Sequence, residues 1–97
     1  MFSQAYYLIR SSHDGRYLVA QVEAEADKAE SRYLLMFHEH ADALSYLNTH
    51  AAKVAARFGV ESVTGNQLKS LLKRWGFSGV GMVQDPLVPS IDFLLVD

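Results

Sequence analysis

The chain has 97 residues, 49% hydrophobic and 21% charged, with a net charge of -2. That length and composition suit one globular domain over 1–97 with a core of its own, and exclude a disordered segment. With no cysteine there is no disulfide framework, thiolate nucleophile, Cys-ligated zinc or iron–sulfur cluster.

Tyr6, Tyr7, Leu8 and Ile9 give Ala5 to Ser11 the character of a first strand, and Ser12-His13-Asp14-Gly15 is a turn suited to a tight antiparallel hairpin. Alternation from Arg16 to about Ala24 predicts a second strand, whose glutamates suit an exposed, charge-protected edge. Asp27 to Ser31 then closes a second hairpin as a polar loop, with a short helical turn over Ala24 to Glu30 as the alternative. Tyr33-Leu34-Leu35-Met36-Phe37 has no polar alternation, which predicts a central strand buried on both faces.

Beyond this run the period changes. Leu44, Leu47, Ala51, Val54 and Phe58 recur at steps of three and four and predict one helix. Glu39 and Asp42 would lie in its first turn, Arg57 in its last, and Gly59 would stop it. Val60 to Val63 is a connector or a very short strand. A second helix is predicted from Thr64 to Phe77. Thr64 and Gln67 match a capping box, Val63 and Leu68 a hydrophobic staple, and Gly76 a Schellman cap with Phe77 touching Leu72. Its Leu68, Leu71, Leu72 and Trp75 share one face, and Lys69, Lys73 and Arg74 the other. Val80 to Gln84 and Ile91 to Val96 are the last strands, joined by a turn at Asp85-Pro86 that Pro86 and Pro89 keep out of any sheet centre. The expected architecture is α+β, in the order β-β-β-α-(β)-α-β-β, with an antiparallel or mixed sheet and both helices on one face.

Charge is unevenly placed: six acids lie between Glu23 and Asp42 against Lys28 and Arg32, and five bases between Lys53 and Arg74 against Glu61. Lys69, Lys73 and Arg74 are therefore candidates for binding an acidic partner surface. Nucleic acid is a third reading, which the net charge and the placing of Trp75 among the leucines disfavour. His38 and His40, two apart on an extended backbone, could hold a ligand or a divalent metal with Asp42 or His50, as part of a small enzyme or binding domain. The bland alternative makes them a solvated helix start, and no metal or cofactor is assigned. Gly76-Phe77-Ser78-Gly79-Val80-Gly81 follows a helix and enters a strand, the reverse of a phosphate loop. Tyr6, Tyr7, Tyr17 and Val19 on a hairpin covered on one face would leave an apolar patch, which makes Tyr7 and Tyr17 candidates for protein interaction or a homodimer contact.

Leu35-Met36-Phe37, the acidic helix start, Ala43-Leu44-Ser45-Tyr46-Leu47, the second helix and the strand reaching Asp85-Pro86 together resemble the SseB-type domain and similar small bacterial α+β proteins. The likeness runs from about Tyr33 to Phe93, with Asp85-Pro86 where Asn-Pro is usual. It implies a role that is non-enzymatic or unassigned, and supplies no catalytic residue. The expected protein is a small interaction or self-associating module. Met1 to Ala5 lacks the pattern of a secretory signal and no apolar run approaches ~20 residues, so the expected address is cytoplasmic, with no membrane partner.

Overall fold

The structure, a computed structural model, describes residues 5–23 and 30–95. Six strands form one mixed sheet: β1 (Ala5–Ser11), β2 (Val19–Glu23), β3 (Glu30–Phe37), β4 (Phe58–Thr64), β5 (Gly79–Asp85) and β6 (Ser90–Leu95). Two α-helices, α1 (His40–His50) and α2 (Gly65–Trp75), accompany them, with a 3-10 helix at Ala52–Arg57. Among the described residues no helix is long and apolar enough to cross a membrane.

The strand order is β4-β1-β3-β5-β6, with β2 also paired to β3. β3 is central, and its register with β5 is parallel from Tyr33↔Gly79 to Phe37↔Val83. The unbroken apolar run predicted this burial: Leu34 and Phe37 are fully enclosed. Successive residues of a strand point to opposite faces, so Leu34 and Met36 join one core cluster while Leu35 and Phe37 join another. The first cluster takes Leu68 and Leu72 from α2, the second Ala43 and Leu47 from α1. The helices therefore cover opposite faces, not one. A strand apolar on both sides needs cover on both.

β1 and β2 do not make the expected tight hairpin. Both run antiparallel to β3, and an isolated bridge pairs Arg10 with Tyr17. β1 keeps its whole length against β4, from Ala5↔Thr64 to Ser11↔Phe58, while β2 takes up β3 from Leu34 to Glu30. The intervening loop turns at Gly15 (φ 73°) and is tied by Ser12, whose amide and hydroxyl both donate to the Arg57 carbonyl. β2 and β3 form the second antiparallel pair; the polar loop expected over Asp27 to Ser31 lies outside the described residues except for Glu30 and Ser31, which belong to β3.

α1 stops at His50, eight residues short of the predicted end. Ala51 leaves helical geometry (φ -142°, ψ 36°), and Gly59 lies inside β4 without acting as a cap. Seven-residue pairing with β1 takes Phe58 into the sheet, where it still packs on the α1 face with Val60. The short connector expected at Val60 to Val63 is thus part of a full strand. Leu44, predicted to face the core, is 42% exposed; Leu47 faces it as predicted, joined by Ala43 and Tyr46.

α2 follows its sequence signals. The Thr64 hydroxyl accepts from the Gln67 amide (3.2 Å), and the Gln67 side chain accepts from the Thr64 amide (2.9 Å). Val63 and Leu68 are both buried in one cluster, as a staple requires. Gly76 is left-handed (φ 69°, ψ 34°), and the amides of Gly76 and Phe77 both donate to the Leu72 carbonyl. Downstream, Gly81 lets β5 pack closely: a Cβ there would lie 3.1 Å from Ile91 and 3.2 Å from Leu35. The Gly76 to Gly81 stretch is a cap followed by a strand.

Candidate functional site

His38 and His40 flank opposite faces of the sheet. His38 lies beside Tyr6, which packs on the α2 cluster, and His40 lies edge-on to Tyr7, which packs on the α1 cluster. Both histidines are exposed, and they do not converge on a shared ligand position. His50 Nε2 is 2.8 Å from the Pro86 carbonyl, which ties α1 to the β5–β6 turn. Among the described residues no three His, Asp or Glu side chains gather closely enough to hold a metal ion.

Polar and aromatic groups converge instead at the end of the sheet under the last turn of α2. Period-two alternation brings them there. Arg10 lies two residues beyond Leu8, Arg32 two before Leu34 and Glu61 two before Val63, so each continues a row whose inner member is buried under α2. Arg74 and Trp75 arrive from the helix. Tyr17, 8% exposed, occupies the middle. Its hydroxyl donates to Glu61 Oε2 (3.0 Å), and Arg10 Nη1 stands 3.6 Å from the same oxygen. The Arg10 guanidinium lies 4.8 Å above the Tyr17 ring and its Nε donates to the Gly15 carbonyl (2.8 Å).

The Tyr17 ring meets Trp75 at 5.2 Å in a T-shaped contact, and Trp75 stacks on Phe77 at 6.1 Å. At the far end Arg32 lies 5.5 Å over Phe77 and donates to the Trp75 carbonyl (3.4 Å). The result is a ladder from Arg10 through Tyr17, Trp75 and Phe77 to Arg32. Burial pushes the Tyr17 phenol above its ordinary pKa, and the Glu61 carboxylate beside it pushes the same way, against the opposing pull of Arg10 and Arg74. Two clefts flank this ladder, sharing Tyr17 and Trp75. One, of about 510 Å³, reaches along α2 past Arg74, Ser70 and Asn66; the other, of about 420 Å³, is lined by Arg16, Gln21 and Arg32.

Of the residues singled out in the sequence, Tyr17 and Arg74 belong to this site. Lys69 and Lys73 are exposed on the same helix, and Tyr7 lies on the other face. Arg10, Arg16, Arg32 and Glu61 were not singled out, since they come from separate segments with no spacing in common. The available signal was a charged residue in phase with a buried row.

A second feature lies on the β5–β6 hairpin. Leu87 (62% exposed), Val88 (73%), Phe93 (46%) and Leu94 (53%) account for all but Leu44 of the large apolar residues exposed among those described. β6 is an edge strand, and Phe93 is edge-on to Tyr33 at 4.9 Å.

No protein-family model matches the chain, and no curated protein matches it. Membership of the SseB-type family is therefore not shown by these comparisons. A solved structure of Anabaena Tic22, a protein of protein transport, is similar with a TM-score of 0.54 and 16% identity. The alignment covers 89% of this chain and 37% of that one, so the chain spans little more than a third of that protein's length. At this identity the likeness is one of fold, an α+β sheet with flanking helices.

Proposed function

We propose that the protein is an interaction module that associates with a second copy of itself through β6. The observation that carries this reading is the clustering of exposed Leu87, Val88, Phe93 and Leu94 on one edge hairpin. Tyr7 and Tyr17 offer less surface: Tyr7 packs, partly buried, on the α1 cluster, and Tyr17 is buried against Trp75. An edge strand presents unpaired amides and carbonyls, and proteins that keep such an edge free protect it with lysine, proline or a bulge. Ser90-Ile91-Asp92-Phe93-Leu94-Leu95 has neither lysine nor proline, Asp92 is its one charge, and the irregularity in its pairing with β5 lies toward the turn, at Val83/Asp85, away from Phe93 and Leu94.

Antiparallel pairing of two β6 strands about a twofold axis at Phe93 sets Asp92 opposite Leu94 of the second copy. No like charges meet in that register, and the two Phe93 rings face each other. A contact of this size belongs to the weak class of interfaces. Light scattering across a concentration series is expected to show mass rising toward a dimer at high micromolar protein. Leu94→Glu, which sets a carboxylate opposite each Asp92, should return the mass to that of a monomer. A parent chain that stays strictly monomeric would overturn the proposal.

A further inference from the structure

We infer that the two clefts flanking Trp75 form one site for an acidic peptide, with carboxylate side chains held by Arg74 on one side and by Arg16 and Arg32 on the other. Four of the five arginines of the chain, Arg10, Arg16, Arg32 and Arg74, line these clefts although they are spread over two strands, a loop and a helix. Their convergence is a product of the fold. Arg74 makes no ion pair with any acid of the described residues, and Arg16 has only a 3.9 Å contact to Asp14 with both side chains exposed. Such an exposed pair is worth little, so both guanidinium forks remain open to carboxylates, which they fit in a bidentate manner.

The acid inside the site does not cancel this field. Glu61 is held by Arg10 and by the Tyr17 hydroxyl, and serves to fix those two groups. Lys69 and Lys73, exposed on the same helix as Arg74, extend the positive potential outward and would steer an acidic partner in. Each cleft has the volume of a small-ligand site, and the two meet at the Tyr17–Trp75 ridge, which suits an extended chain better than a compact anion. Asn66 and Ser70 in one cleft and Gln21 in the other offer neutral donors and acceptors to a peptide backbone. Arginine, tyrosine and tryptophan are also the residues in which binding energy concentrates at protein interfaces.

A single nucleic-acid strand fits less well. It would need free ring faces for its bases. Here Arg10 lies over Tyr17, Arg32 lies over Phe77, and Trp75 packs between the two rings.

Trp75 is the sole tryptophan, so its emission reports on the site directly. The probe is a capped peptide of glutamates spaced by glycines, titrated into the full chain at low and high salt, beside an oligothymidylate of the same charge. A saturable change in emission is expected with the peptide, weaker at high salt, and Arg16→Glu and Arg74→Glu should each weaken it about tenfold. Both residues are exposed, so unchanged thermal unfolding should accompany the loss. Lys53→Glu, on the exposed 3-10 helix, should bind as the parent does, and so should Leu94→Glu, which separates this site from association through β6. No saturable change, parental binding by either arginine variant, or tighter binding of the oligothymidylate would each overturn the inference.

Discussion

α1 and α2 are eleven residues each and cover opposite faces of one sheet, yet different forces hold them. α2 has a reciprocal side-chain cap at its start and a left-handed glycine at its end. Glu39, which precedes α1, makes no capping bond with its side chain, and Ala51, which follows it, has a conformation that is neither helical nor left-handed. What holds α1 is tertiary contact. Ala43 and Leu47 are buried against the β3 and β5 face, Tyr46 meets Phe37 ring to ring at 5.5 Å, and His50 reaches the Pro86 carbonyl. A helix with its own stop signals can be placed from its sequence, whereas one held by a distant strand ends where that strand requires.

The comparison can be broken most severely in the core. Phe37→Ala, on the α1 face, should cost about 3–5 kcal/mol and Leu72→Ala, on the α2 face, about 2–5 kcal/mol. Both residues are buried, Phe37 completely. Against a total of about 5–15 kcal/mol for a domain of this kind, either loss should shift chemical denaturation strongly. If the faces differ as described, Phe37→Ala should also erase helical signal from α1 before global unfolding, because no cap holds α1 once its support is gone. Leu72→Ala should leave a single cooperative transition. The same pattern for both variants would contradict the contrast.

The helix starts offer a finer test. Thr64→Ala removes one bond of the capping box and should cost about 1 kcal/mol. Glu39→Ala should change stability by no more than a few tenths, since no cap bond is lost, and Glu39→Ser should gain up to about 1 kcal/mol by supplying one. Equal losses for Thr64→Ala and Glu39→Ala, measured by urea denaturation, would mean that the two starts are alike.

Legibility in the sequence follows the same division. Every signal that defines α2 lies between Val63 and Phe77, within reach of a local reading. The end of α1 is set by Phe58, which is in phase with Leu44, Leu47, Ala51 and Val54 but pairs with Ser11 in the sheet. Helical phase cannot register a partner so distant. The placing of the helices on opposite faces was contained in the Tyr33 to Phe37 run, since a strand apolar on both sides demands two covers. Of the site, Arg74 was visible as part of a basic helix and Tyr17 as an aromatic. Arg10, Arg32 and Glu61 become a site only when strand pairing aligns their rows beside α2.

The smallest effect separates the two faces by their tyrosines. Burial pushes both Tyr17 and Tyr46 above the ordinary phenol pKa, but only Tyr17 has an acid adding to the shift. Its hydroxyl donates to Glu61, so ionisation removes a donor and sets two negative charges side by side. A raised pKa in the folded state means that each phenol contributes stability that is complete below the unfolded value of about 10. That contribution is lost as pH rises from there through the folded value, because the unfolded chain then binds fewer protons. Tyr17→Phe and Tyr46→Phe should each flatten the alkaline fall in stability. Glu61→Gln should discriminate between them: followed by tyrosinate absorbance, the Tyr17 midpoint should move down toward the ordinary value while that of Tyr46 stays in place. If the Tyr17 midpoint does not move, burial alone sets its shift, and the two faces treat their tyrosines alike.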